Sequence, residues 1–301
     1  MPEAYAHIRT ARHAAALCGY APEVPAAFCA GANGPDPLFY YRFWSARPAP
    51  AAPDAPGLPA PDLPALAARL HREQAGAFLL ALARLAATPA QRSYAAGFAV
   101  HHALDARAHP YVAAVDADGG PYAGPGGHCR YEAALDTALY RRDWGGSCAP
   151  LSLTAPPLLT DQLGEVCALL RQAIAAVYGE QVPFSCLVDT FFDFRRLHRL
   201  LRSPFGFNRL LVRLLDAAQR SPHPIAVHVQ PQRLRPGLPD DWRDPFDGSA
   251  RSGGIAAILA AAENEAAGAL RALRGYWDGS TDGAALAAAL GNASYSTGLP
   301  C

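Results

Sequence analysis

The chain has 301 residues, with 26 basic residues (all arginine) balanced by 26 acidic ones, and 51% of its residues are hydrophobic. That length allows one large domain or two modest ones, and the 17% charged share excludes wholesale disorder. A net charge of zero argues against a protein that grips nucleic acid or a membrane mainly through charge, although it leaves room for a local basic groove.

Reading from the start, MPEAYAHIRTARHAAALCGY carries His7, Arg9, Arg12 and His13 where a signal peptide would be apolar. GANGPDPLFYY sets Asp36 between prolines in a rigid turn. Behind it stand Phe39, Tyr40, Tyr41, Phe43 and Trp44, expected in the core, with one or two lining a cleft. Residues 45–64 are too rich in Pro to sustain a helix. Leu66, Leu70, Phe78, Leu82 and Leu85 recur as a helical stripe, with His71 near the start of an amphipathic helix. YAAGFAVHHALDARAHPYV predicts a helix that Pro110 follows. The Gly-rich residues 116–127 predict a mobile connector or lid, and GHCRYEAALD a further helix.

Helical stripes then cover 158–178, 188–201, 208–218, 255–273 and 284–290. Cap-like residues stand at Thr160 or Asp161, Asp189 or Thr190, and Asp282. Residues 225–229 are the best strand candidate, short between Pro224 and Pro231. The expected fold is all-α. It is one domain over 1–301, with the metal ligands within 1–150 and helices completing it over 151–301. The longest apolar stretches fall far short of the ~20 residues of a bilayer span. Seven cysteines without a CxxC pair fit neither a disulfide framework nor a zinc ribbon, so a cytoplasmic protein with reduced thiols is expected.

Seven of the ten histidines lie in the first 128 residues, and several keep helix-face spacing with a carboxylate. His101, Asp105 and His109 sit at i, i+4 and i+8, and His128 and Glu132 repeat the i, i+4 step. One such pair is ordinarily a surface hydrogen bond. Here His101 and His109 lie among apolar residues, where a polar face needs partners. An i, i+4 pair offers a metal two ligands from one rigid turn, and with Asp36 and His71 added the spacing points to metal binding.

The order His7, Asp36, His71, His101-x-x-x-Asp105, His109, His128-x-x-x-Glu132 resembles the zinc-dependent phospholipase C family. The likeness runs through YAHIRTARHAA, LHREQAGAF, DDWRDPFDG and NASYSTG, and it extends more distantly to single-strand-specific fungal zinc nucleases. The resemblance implies an all-α fold with a zinc cluster, two or three ions, at the bottom of a cleft. One zinc would take Asp36, His71, His101 and Asp105. A second would take His109, His128 and Glu132. The third would take His7, share Asp105, and use the N-terminal amine, which removal of Met1 would free at Pro2.

Three carboxylates facing up to three Zn²⁺ leave a positive site that attracts a phosphate ester and stabilises its pentacoordinate transition state. The expected reaction is hydroxide attack on phosphorus, activated by zinc, with Asp36 positioning or deprotonating the water. A phospholipid or soluble head-group ester leads as substrate. Nuclease or nucleotidase action is the alternative, with nucleic acid disfavoured by the charge balance, and a non-catalytic helical zinc protein is the rival from another class. An iron or manganese bundle would draw on Glu-x-x-His spacing, which is missing here. His102 is expected behind the ligands or at the surface, and His13 toward solvent. The arginine run around His198 is expected on a solvated helix face, with a phosphate- or lipid-contacting patch as its functional reading. His223 and His228 are expected to be structural.

Overall fold

The computed structural model describes residues 4–43, 54, 60–219 and 224–301. Among them nearly all the regular secondary structure is helical: α1 (Ala4–Cys18), α2 (Pro25–Gly31), α3 (Asp36–Phe39), α4 (Leu63–Leu70), α5 (Ala75–Leu85), α6 (Pro89–Asp116), α7 (Gly127–Trp144), α8 (Thr160–Tyr178), α9 (Phe184–Leu201), α10 (Phe207–Gln219), α11 (Ile255–Asp278) and α12 (Gly283–Leu290). No helix among the described residues is long and apolar enough to cross a membrane. The seven cysteines are unbonded.

Helix α6 is the axis. A capping box starts it: the Thr88 side chain accepts from the Gln91 N–H, and the Gln91 side chain accepts from the Thr88 N–H. It is buried on nearly every side, packing against α1, α2, α5, α7, α8 and α11. Its contact with α2 is backbone on backbone. A Cβ on Gly97 would lie 2.0 Å from the Phe28 carbonyl oxygen, and one on Gly31 would lie 2.1 Å from that of Tyr94. Only glycine permits this approach, which sets the α2–α3 corner against the middle of α6.

Several expectations shift. Pro110 does not end α6; the helix runs six residues beyond it. Proline withholds the N–H that the Ala106 carbonyl would accept. Gly298, at φ +68°, lies so close to that carbonyl that a Cβ would stand 2.5 Å away, so the chain's last turn packs over the interrupted ladder. The stripe from Leu66 to Leu85 is two helices, broken where Gln74 adopts φ +54°. His71 therefore caps the end of α4 instead of starting a helix. Residues 225–228 form a 3₁₀ turn, not a strand. The strands lie elsewhere: β1 (Asp241–Arg243) pairs antiparallel with β2 (Ala250–Ser252), in register Trp242 to Arg251. Asp244 turns this hairpin by accepting from the Phe246 N–H at 2.9 Å.

Of the expected caps, Asp282 accepts from the Ala285 N–H at 2.8 Å. Helix α8 begins at Thr160, its preceding N–H held by Gln162, and α9 begins at Phe184, so Asp189 and Thr190 lie inside it. The 116–127 connector is folded down, with Tyr122 fully buried and its N–H on the Val115 carbonyl at 2.9 Å. Trp44, His223 and nearly all of 45–59 lie outside the described residues.

Candidate metal centre

Five elements bring the predicted side chains together. Helix α6 presents His101, Asp105 and His109 along one face, α3 contributes Asp36, and the end of α4 contributes His71. Helix α1 adds His7, and α7 adds His128 and Glu132. They form two sets: Asp36, His71, His101 and Asp105, all buried, and His109, His128 and Glu132 beside them. His7 faces Asp105 at 3.3 Å and stacks on the His101 ring at 4.0 Å between centroids. Met1 and Pro2 lie outside the described residues, so among those described the third set is His7 with Asp105.

Within the first set, His71 Nε2 is 3.4 Å from Asp36 Oδ1 and 3.8 Å from Asp105 Oδ2. His101 Nε2 is 3.6 and 3.1 Å from the same two oxygens. Ligands held ~2.0–2.1 Å from a tetrahedral zinc stand about 3.3 Å apart, and these four distances scatter around that value. The atoms also lack ordinary partners. Nε2 of His7, His71, His101 and His109, Oδ1 of Asp36 and both Asp105 oxygens are buried without a hydrogen bond. Polar atoms so buried are rare unless something else satisfies them, so the donor set fits a metal ion. In the second set, Glu132 Oε1 lies 2.9 Å from His128 Nε2 and 3.8 Å from His109 Nε2. Among the described residues this set offers three donors, the number of protein ligands that catalytic zinc sites use while keeping a fourth position open. A cleft of about 350 Å³ reaches both sets through His71, His109 and His128, walled by Phe39, Arg72, Phe246 and Ser296.

The family model described as zinc dependent phospholipase C matches residues 6–169, which contain every member of both sets and His7. The chain belongs to this family. No curated protein and no solved structure matches it. Membership in the zinc-dependent phospholipase C family and two His-carboxylate sets of this kind support zinc binding and a zinc-dependent hydrolase.

The imidazoles are aimed from behind. His71 Nδ1 lies 2.7 Å from the Ala67 carbonyl, His101 Nδ1 3.1 Å from Ala32 and His109 Nδ1 2.5 Å from Tyr295. A carbonyl only accepts, so each Nδ1 carries the proton and each Nε2 turns a lone pair to the centre. The electrostatics agree. Burial alone would raise the Asp105 carboxyl, but His109, His101 and His7 crowd it and hold it well below the usual carboxylate range. Burial likewise opposes ionisation of Glu132, yet His128 and His109 bring its carboxyl down to about 2. Burial lowers His7, helped by His101, whereas at His101 the charges of Asp105 and Asp36 overcome burial and raise it.

Some residues that position this phospholipase C-family centre escape the spacing argument. Asp136 accepts the Tyr5 and Ala6 N–H groups at 2.9 and 2.8 Å, clamping the first turn of α1 so that His7 points inward. The signal was present, since His128, Glu132 and Asp136 repeat the i, i+4, i+8 step of α6. The 292–298 segment, outside the matched span, supplies the Tyr295 carbonyl and a Ser294 hydroxyl that donates to the His71 carbonyl at 3.0 Å. His102 is buried behind the two sets, 2.7 Å from the Ala293 carbonyl. Gly34, at φ +52°, lies against His101, where a Cβ would be 2.3 Å from the ring. His13 is partly exposed beside Glu263, and His198 turns inward onto Phe194. Of the aromatic string, Phe39 walls the cleft and Tyr41 is buried, its hydroxyl on Cys186.

Proposed function

We propose that the protein hydrolyses a phosphoric ester in the manner of a phospholipase C, with zinc held by the two sets. In this reading Asp36, His71, His101 and Asp105 would hold one ion, and His109, His128 and Glu132 a second. His7 and Asp105 would hold a third. The observation that carries the reading is the buried four-donor set beside the three-donor set at the floor of one cleft. The zinc, when bound, supplies Lewis-acid charge to the phosphoryl group and lowers the pKa of water to ~7.

The chain does the rest. Arg72, exposed at the cleft mouth, draws in the anionic ester. Phe39 and Phe246 flank the bound ester and displace water. Asp36 keeps 6% exposure against 2% for Glu132 and none for Asp105, which supports it as the carboxylate nearest to water. It orients the attacking water and accepts its proton. The Nδ1 contacts of His71, His101 and His109 hold the imidazoles still throughout. We further propose that residues 1–301 act as one domain, because the 292–298 segment buttresses the centre built by the first half.

The test is hydrolysis of a chromogenic phosphodiester and of phospholipid vesicles by purified protein and by Glu132→Gln. Wild type should turn over at least one of them, and the variant should lose at least about a hundredfold with its helical circular dichroism intact. Unfolding of the variant would instead make the second set structural, and an inactive zinc-loaded wild type would refute the reading.

A further inference from the structure

Helix α10 is docked the wrong way round for a soluble core. Its polar side faces the protein. Arg209 donates to the Val229 and Pro231 carbonyls, and Asp216 accepts from the Ile225 and Ala226 N–H groups at 3.0 and 2.8 Å. Asn208 donates to the Arg202 carbonyl at 2.7 Å, and on this side Val212 is the one apolar residue fully packed. The opposite side is left outward. Phe205 is 86% exposed, Phe207 79%, and Leu210 and Leu214 each 60%, with Leu211 and Leu215 close behind. On a helix, residues 207, 210, 211, 214 and 215 fall on one face, so this is a continuous apolar ridge, not scattered side chains.

From residue 193 to the end of the ridge the exposed charge is of one sign. Residues 193–216 hold six arginines and two aspartates in a chain whose net charge is zero. Both aspartates are turned inward: Asp216 as described, and Asp193 onto the Arg42 N–H at 2.8 Å. The arginines crowd one another. Burial and then the neighbouring guanidinium hold Arg195 below its ordinary value beside Arg199, and Arg209 likewise beside Arg213. Arg196, Arg199 and Arg213 remain exposed.

We propose that α10 and the turn before it form a membrane-docking surface that inserts its apolar ridge into the interface of an anionic phospholipid bilayer. Large apolar side chains on one face with arginine beside them are what an interfacial helix presents, and anionic head groups neutralise the arginines. A second copy of this chain fits less well. A two-fold contact sets the same patch against itself, so the arginine rims would meet like charge on like. The proposal deepens the phospholipase C reading, because it brings the enzyme to a surface made of phosphate diesters. The 3₁₀ turn held by Asp216 packs in turn on α7, which carries His128 and Glu132.

The experiment is sedimentation of the full-length protein with vesicles of phosphatidylcholine alone, or with about one third phosphatidylglycerol. It is repeated at low and high salt and with the double variant Leu210→Asp, Leu214→Asp. Wild type should bind the anionic vesicles, with affinity falling as salt rises, and the double variant should bind at least about tenfold more weakly. Because both leucines are exposed, the variant should keep its circular dichroism, its metal content and its activity on a water-soluble phosphodiester. Those readouts separate failure of docking from failure of the hydrolase reading. Equal binding by wild type and variant, or no binding by wild type, would overturn the proposal. So would a wild-type dimer in sedimentation velocity that the variant abolishes without any vesicle binding, which would give the face to a second copy.

Discussion

Asp105 has no exposed surface and no hydrogen bond, yet it stands within 4 Å of four imidazoles: His7, His71, His101 and His109. Its two oxygens face different sets, Oδ1 toward His7 and Oδ2 toward His71 and His101. Asp105→Asn should therefore cost more than one equivalent of bound metal by elemental analysis; loss of one or less would remove its bridging role. His109 gives a pH signature. Burial pushes its pKa down from 6.5 to about 3, against the pull of Asp105. Between those values the unfolded chain binds a proton that the native state refuses, so the native state loses stability as pH falls through that window. Chelator-treated protein should show urea midpoints that fall from about pH 6.5 toward 3, more shallowly in His109→Gln. An unchanged slope would contradict this account. At this scale the sequence was most legible where spacing is periodic, as at His101, Asp105 and His109. It was silent where a backbone carbonyl does the work, because Ala32 and Tyr295 act through atoms every residue has.

Among elements, α6 shows why a site can be read before its support. Helical spacing put the ligands on one face, but nothing local said that Pro110 would stay inside the helix. That depends on Gly298, 188 residues away, covering the Ala106 carbonyl. The break at Gln74 is similar: the apolar stripe runs on through it, and only φ +54° at that residue turns His71 into a helix end. The β1–β2 hairpin was missed because its strands are three residues long and owe their turn to Asp244. The α2–α6 crossing is a testable case. Gly97→Ala drives a methyl into the Phe28 carbonyl, forces the helices apart, and draws Ala32 and Gly34 away from His101. We expect a loss of about 1–3 kcal/mol in urea unfolding together with lower metal content. Wild-type stability and metal content in that variant would show that the close crossing is not what seats the centre.

On the scale of the whole molecule, the centre gathers side chains from α1, α3, α4, α6 and α7 and backbone from residues near the end of the chain. Helical periodicity pointed to an all-α protein, and the family match over 6–169 names the same family that the sequence resembles. Balanced net charge hid the strongly basic α9–α10 region, because a sum over the chain carries no information about where charges lie. The central claim is that the buried His-carboxylate sets exist to hold metal. Elemental analysis of protein purified without added metal tests it most directly. The account predicts two or three equivalents of zinc per chain, removed by chelation together with activity, whereas a folded protein that holds no metal tightly would contradict it.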